Sequence, residues 1–173
     1  MKKILSATFL ILLITGCKKD NLPPETATGA NTFGCKVNGK AYSPSGGDGW
    51  SVWPLEGGRY QDVDGNVGLY IQTISGNTRF IDIYIKKLNG IGIYNLNFNT
   101  SPWDVRSENY GYYRIKDNFG NSSEFVTNTQ YTGWINLKYA SNNIYAGTFE
   151  FTANNSQTGE SITITDGRFD IKN

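Results

Sequence analysis

Ile81-Asp82-Ile83-Tyr84-Ile85-Lys86 places an apolar residue at every odd position and a polar or amphipathic one at every even position. A period of two marks a strand with one buried face and one wet face, whereas a helix needs a period of 3.6. The same alternation returns along the chain. Ile135, Leu137 and Tyr139 alternate with Trp134, Asn136 and Lys138; Phe149 and Phe151 with Thr148, Glu150 and Thr152; Ile162 and Ile164 with Thr163 and Thr165. Ile, Thr, Tyr and Phe dominate these runs, and they suit a pleated, half-buried surface. No segment past Thr32 carries a sustained helical stripe, and 101–109 reads as no more than one helical turn after Pro102.

The turn residues agree with strands. Asn38-Gly39, Asp64-Gly65 and Asn89-Gly90 accept the positive φ that two-residue hairpins require. Residues 154–160 read as a longer hairpin loop before the last strand. Within that strand the apolar parity switches from even (Ile162, Ile164) to odd (Phe169, Ile171), and a bulge at Asp166-Gly167 would return both sets to one face. The predicted strands are 33–38, 40–43, 50–53, 58–62, 67–75, 79–87, 91–98, 110–116, 124–127, 131–139, 144–153 and 161–172. Such strands must bury their apolar faces against one another. The fold class is therefore all-β: an antiparallel β-sandwich of short hairpin-connected strands, or alternatively a lipocalin-like closed barrel. Uneven strand lengths and a turn-rich beginning favour the sandwich.

The start of the chain has a different character. Met1-Lys2-Lys3 is positive, and residues 4–14 form an uncharged apolar run of 11. A membrane-spanning helix needs about 20, so residues 1–16 read as an export signal. The signal ends in Ile14-Thr15-Gly16-Cys17, which resembles a bacterial lipobox. That resemblance implies lipid transfer to the Cys17 thiol and cleavage before it; an ordinary secretory signal with an incidental Cys is the alternative. At about 0.8 kcal/mol per buried methylene, two or three acyl chains would hold the mature protein at a membrane durably. Residues 17–31 then read as a lipidated flexible tether, poor in core-forming residues and extended at Pro23-Pro24, with a reach of about 45 Å. Residues 32–173 form a single all-β domain. Lys18-Lys19-Asp20 resembles the short export signals of surface lipoproteins in Bacteroidota-type bacteria, which favours the outer face of the outer membrane over its periplasmic face.

Composition narrows the function. The chain carries 16 Lys+Arg, 15 Asp+Glu and no His. Removal of residues 1–16 takes away Lys2 and Lys3, leaving 14 basic against 15 acidic side chains. That balance argues against a nucleic-acid partner, which needs a basic stripe. Without His, the Ser-His-Asp and Cys-His schemes fall away. With Cys17 lipidated, Cys35 has no intrachain partner, and its alternation with Phe33 and Val37 reads as a buried apolar thiol.

Thr28-Gly29-Ala30-Asn31-Thr32-Phe33-Gly34-Cys35-Lys36-Val37-Asn38-Gly39-Lys40, with Leu22-Pro23-Pro24 before it, resembles the start of an uncharacterised family of small Bacteroidota-type β-rich lipoproteins. Gly147-Thr148-Phe149-Glu150-Phe151 and Ile164-Thr165-Asp166-Gly167-Arg168-Phe169-Asp170 resemble its end. The two matches bracket nearly the whole mature chain. They imply an exported, lipidated, β-rich protein and carry over no activity and no catalytic residue.

Candidate chemistry is sparse. Asp62-Val63-Asp64-Gly65-Asn66 has the look of a calcium loop, but an EF-hand needs Gly at position 6 and Glu at 12. Here Gly is fourth and position 12 is Thr73. A hairpin turn is the plain reading; an irregular calcium site on Asp62, Asp64 and Asn66 is the alternative. Gly46-Gly47-Asp48-Gly49 has no helix behind it and reads as a loop rather than a phosphate cradle. Asp62, Asp64, Asp104, Glu108 and Asp117 lie in or near loops, where a pair could serve a carboxylate-dependent glycan hydrolase. No nucleophile elbow is present, and no feature calls for a cofactor.

The aromatic load is the most suggestive feature, with 4 Trp, 11 Tyr and 9 Phe. Trp134 falls on the wet parity beside Asn136 and Lys138. Trp50, Trp53, Trp103, Tyr110, Tyr112 and Tyr113 read as loop or strand-end residues. Such rings stack on sugars or anchor a protein partner, or else brace the sheet. The candidate ligand-binding set is Trp50, Trp53, Trp103, Trp134 and Tyr112. The expected function is a non-catalytic, outer-membrane binding module for a glycan or an envelope protein. A structural or inhibitor-like lipoprotein acting through a sheet edge and a glycan hydrolase are the alternatives.

Overall fold

The computed structural model describes residues 22–47, 53–62, 64–98 and 108–173. They form eleven strands and no helix: β1 Thr32–Val37, β2 Lys40–Tyr42, β3 Leu55–Gln61, β4 Val67–Ser75, β5 Arg79–Ile85, β6 Gly92–Leu96, β7 Tyr110–Lys116, β8 Ser122–Val126, β9 Gly133–Ser141, β10 Ile144–Asn154 and β11 Ser161–Lys172. Of the predicted strand 50–53, only Trp53 lies among the described residues, and it belongs to no strand. The helical turn expected at 101–109 falls outside the described residues except for Glu108 and Asn109, which are not helical.

Every named pairing is antiparallel. One run is β6-β9-β10-β11-β1-β2 and the other β8-β7-β5-β4-β3, joined by a single pairing of Asn154 in β10 with Val126 in β8. The joined sheet curls until its two halves face each other across one core. Phe33, Ile135, Phe149 and Phe151 from the first run meet Leu69, Ile71, Ile81 and Ile83 from the second. The expected sandwich and barrel thus merge into one curled sheet. Closure is made by loops and side chains rather than by a ladder. The Tyr42 hydroxyl lies 2.8 Å from Thr73 Oγ1, and the Ser45 and Gly46 amides donate to the Ile74 carbonyl. Gly111 in β7 marks the close approach of the halves, since a Cβ there would lie 2.9 Å from the Phe151 ring.

Local chemistry sets the turns. Asn38 and Gly39 adopt φ of 47° and 76° and close β1 onto β2. Asp62-x-x-Gly65-Asn66 and Asp117-x-x-Gly120-Asn121 build two loops of the same design. In the first, Asp62 Oδ1 accepts from the Asp64 and Asn66 amides and Oδ2 from the Asn66 side chain. In the second, Asp117 accepts in the same way from the Phe119 and Asn121 amides and the Asn121 side chain. The Asn side-chain bond is the leading cause that lowers the pKa of each Asp. Both oxygens of Asp62 serve N–H donors within the loop, and Gln61 of β3 pairs with Val67 of β4 across it, so the hairpin-turn reading holds. Asn89-Gly90 is not a hairpin: β5 pairs with β4 and β7, while β6 pairs with β9. The bulge lies where the parity switch places it. Phe149 pairs with Gly167 and Phe151 with Ile164, so β11 carries one extra residue there, and Asp166 takes φ of 54°. Ile162, Ile164, Phe169 and Ile171 all reach the core. Cys35 is fully buried, and burial pushes its thiol pKa up.

The stretch read as a tether is in part built into the domain. Residues 22–31 lie on the outer face of β11 and β9. Asp170, on the outer parity of β11 and only 1% exposed, accepts from Thr26 Oγ1 at 2.6 Å, the Thr28 amide at 2.9 Å and the Gly29 amide at 2.8 Å. Lys138 meets Glu25 at 2.6 Å, Arg168 donates to the Pro23 carbonyl, and the Lys172 amide donates to Asn31 Oδ1. The folded body therefore begins by Leu22, ten residues earlier than the composition of 17–31 implies. Polar, Pro-rich sequence lacks core residues, but a buried carboxylate offers its amides and hydroxyls stronger partners than water does.

Burial on its own would raise the Asp170 pKa; the bonds from Thr26, Thr28, Gly29 and Ala30 outweigh it and leave the carboxyl below its usual value. A carboxyl with a depressed folded pKa contributes stability that is full above the unfolded value and is lost as pH falls through the folded one. Asp170→Ala should cost about 3 kcal/mol in urea denaturation at pH 7 and expose the Thr28 and Gly29 amides to hydrogen exchange. The difference from the parent should shrink below about pH 4.

Candidate functional site

The outer face of β3-β4-β5-β7-β8 departs most from the simple wet-face expectation. Register places three rows of side chains across it. Tyr70, Tyr84 and Tyr110 stand side by side on β4, β5 and β7. Two residues along come Glu56, Gln72, Asp82, Tyr112 and Val126. Two further along come Ile74, Phe80, Arg114 and Glu124. Neighbours within a row sit about 5 Å apart, close enough for direct contact.

The tyrosine row forms a second apolar cluster outside the main core. The rings of Tyr84 and Tyr110 stack 5.3 Å apart at 5°, and Tyr60 closes on Tyr84 at 4.9 Å. Tyr112, a candidate ligand-binding residue, belongs to this cluster with only 3% of its surface exposed. Burial, first of all, raises its pKa, and the nearby Glu124 carboxylate adds to the rise. Tyr110 opens β7, as a strand-end residue, whereas Tyr112 and Tyr113 lie inside the strand; all three are buried. Cross-strand aromatic neighbours cover one another, so tyrosines on the polar parity of adjacent strands leave water together.

A cavity of about 250 Å³ opens beside this cluster. Trp53 stands at its rim, 75% exposed. Glu56, Gln72, Phe80, Asp82 and Arg114 line it. Phe80 carries Arg114 on its face, the guanidinium carbon 4.0 Å from the ring centre. That stacking holds the guanidinium short of Asp82: the two interact through charge but form no ion pair. Arg114 Nε is buried with no hydrogen-bond partner among the described residues. Burial pushes the Asp82 pKa up to about 7 against the opposing pull of Arg114. The pocket thus holds a poorly solvated acceptor and a poorly used donor next to each other. Unsatisfied polar groups of this kind are costly to keep, and perturbed carboxylates concentrate at binding sites.

Among the described residues, the structure does not bring the sequence candidates Trp53, Trp134 and Tyr112 together. Trp50 and Trp103 lie outside the described residues. Trp134 is half-buried on the outer face of β9, in the opposite half of the curled sheet from Trp53, paired with Asn95 and Glu150. Of the candidates among the described residues, only Trp53 reaches the pocket. Asp82, Arg114, Gln72, Phe80 and Glu56 escaped the sequence reading because each sits at an ordinary polar or edge position of a strand. One signal was available: Tyr70, Tyr84, Tyr110 and Tyr112 share the polar parity with Asp82 and Arg114, too aromatic a set for a plain solvent face. Comparison with protein-family models, curated proteins and solved structures finds no match.

A carboxyl with a raised folded pKa stabilises below the unfolded value, and that contribution is lost as pH rises through the folded one. Asp82 should therefore make the protein less stable between about pH 4 and pH 7 as pH increases. Asp82→Asn should raise stability at pH 8 by on the order of 1–2 kcal/mol, with the gain vanishing toward pH 4. Thermal denaturation of both forms across that range measures it.

Proposed function

We propose that this protein is an exported, lipid-anchored, non-catalytic module that binds glycan on the outer face of β3-β4-β5-β7-β8. The observation that carries the reading is an indole, Trp53, standing exposed at the mouth of a pocket that holds Asp82 and Arg114 unpaired. An aromatic platform beside fixed polar groups is the chemistry that sugar rings select. The anchor is the Cys17 thiol at the lipobox, in keeping with the lipoprotein family that the two end blocks resemble, and the site of action is the outer membrane. With residues 22–31 held on the body, 18–21 alone separate Cys17 from it, a span of at most about 19 Å. The domain then rides close to the bilayer rather than at the end of a long leash.

A hydrolase is the second reading, and one observation favours it. Glu56 and Asp82 share the pocket two strands apart, about 10 Å at the backbone, from which their side chains can bring two carboxyls within the roughly 6.5–9.5 Å that inverting glycosidases use. Gln72 stands between them where the attacking water would sit, and the Tyr70 hydroxyl donates to Glu56. Binding without turnover is the better use of this geometry.

A glycan array probed with the chain from Leu22 onward should give hits that Trp53→Ala abolishes, and mass spectrometry should recover the bound glycans intact. No hit on any glycan would move the reading to an envelope protein, and cleaved glycans would move it to the hydrolase. Separately, Cys17→Ala should abolish metabolic labelling by a palmitate analogue, and persistent labelling would show the acyl site to be elsewhere.

A further inference from the structure

The polar groups of the pocket restrict what it can take. Asp82 offers acceptors, and no hydrogen bond from a described residue reaches its carboxylate. Arg114 offers donors, with Nε unused. Gln72, directly across from Asp82, offers both. An anionic ligand would gain Arg114 and meet Asp82 and Glu56. A cationic ligand would gain those acids and meet Arg114, which already occupies the Phe80 face. A neutral polyol uses everything present, because each hydroxyl donates and accepts at once. Register sets the spacing: Asp82 is opposite Tyr112, so Arg114 is its diagonal neighbour, about 7–8 Å away and somewhat less at Cβ. One hydroxyl can fill that gap, donating to the carboxylate and accepting from the guanidinium. A cavity of about 250 Å³ closed at the Tyr112 side suits a single ring and not a chain crossing the face.

We propose that the Trp53–Asp82–Arg114 pocket is a subsite for one neutral pyranose ring, whose hydroxyls bridge Asp82 and Arg114 while its apolar face lies on Trp53. This rests on the glycan-binding reading and names the ring chemistry within it. The charged or titratable groups facing Asp82 are Glu56 from β3 and Arg114 and Tyr112 from β7, with Glu124 of β8 opposite Arg114; Gln72 from β4 is neutral. The carboxylate is the stronger acceptor of the two forms of Asp82, so affinity should rise as Asp82 ionises near neutral pH.

The test is titration of the full chain in detergent micelles with methyl glucoside, methyl galactoside and methyl mannoside, and in parallel with sodium glucuronate and glucosamine hydrochloride. Saturation-transfer NMR and Trp fluorescence report binding. At least one neutral glycoside should bind. Asp82→Asn and Trp53→Ala should each weaken it at least tenfold, whereas Trp53→Phe should keep most of it. Asp82→Asn is expected to fold more stably than the parent, so its lost binding is not a folding defect. If only the charged sugars bind, or if a neutral glycoside binds equally well to both variants, the subsite assignment is wrong and glycan binding stands. If no sugar binds here and the array is also empty, both fail together.

Discussion

Phe149 and Phe151 on one half of the sheet meet Ile81 and Ile83 on the other in a core that no disulfide crosslinks; Cys35, the cysteine among the described residues, is itself part of it. The rest follows from how that core is closed. An antiparallel sheet with one apolar face is stable only when the face is covered, and here the sheet covers itself by curling. β10 and β11 are the longest strands and form the hinge of this arrangement. The extra residue at Asp166 bends β11 and lets both apolar sets of that strand look inward. Since the inner faces satisfy each other, both outer faces are left free for other uses.

Those outer faces carry two carboxylates with opposite fates, Asp170 near the end of β11 and Asp82 in the middle of β5. Asp170 is covered by residues 22–31 and receives N–H and O–H donors from Thr26, Thr28 and Gly29, so its charge is welcome despite burial. Asp82 receives no such donors, and its charge is resisted. The difference lies in the neighbours: a strap of backbone amides in one case, a row of tyrosines and a guanidinium stacked on Phe80 in the other. Asp170 is buried and its partners are supplied by the fold, whereas Asp82 is half-buried on the wall of a pocket and receives none.

Much of the fold was legible because a strand with one buried face writes its period directly into the chain. Ile81, Ile83 and Ile85 announce β5, and the parity switch between Ile164 and Phe169 announces the bulge. Asn38-Gly39 announces its turn through the φ that Gly permits. Asn89-Gly90 carries the same local signal without pairing its flanking strands, since a turn dipeptide specifies backbone angles and not which strand lies beside which. Residues 22–31 look disordered by composition, and nothing local reveals that a carboxylate some 140 residues away will hold them. Among the described residues, the pocket was legible only through Trp53. Asp82 and Arg114 belong to different strands, and their closeness depends on the register of β5 with β7.

The sequence by itself determined a run of strands that alternate with period two, the bulge at Asp166, and the burial of Cys35. All of these are local patterns, read from residues a few positions apart. Only the tertiary structure decided that the sheet curls into one continuous body, that Tyr112 leaves the surface, that residues 22–31 dock, and that Trp53, Asp82 and Arg114 share a pocket. Each depends on cross-strand register and on long-range hydrogen bonds. These join residues far apart in the chain, and no local periodicity encodes such pairings.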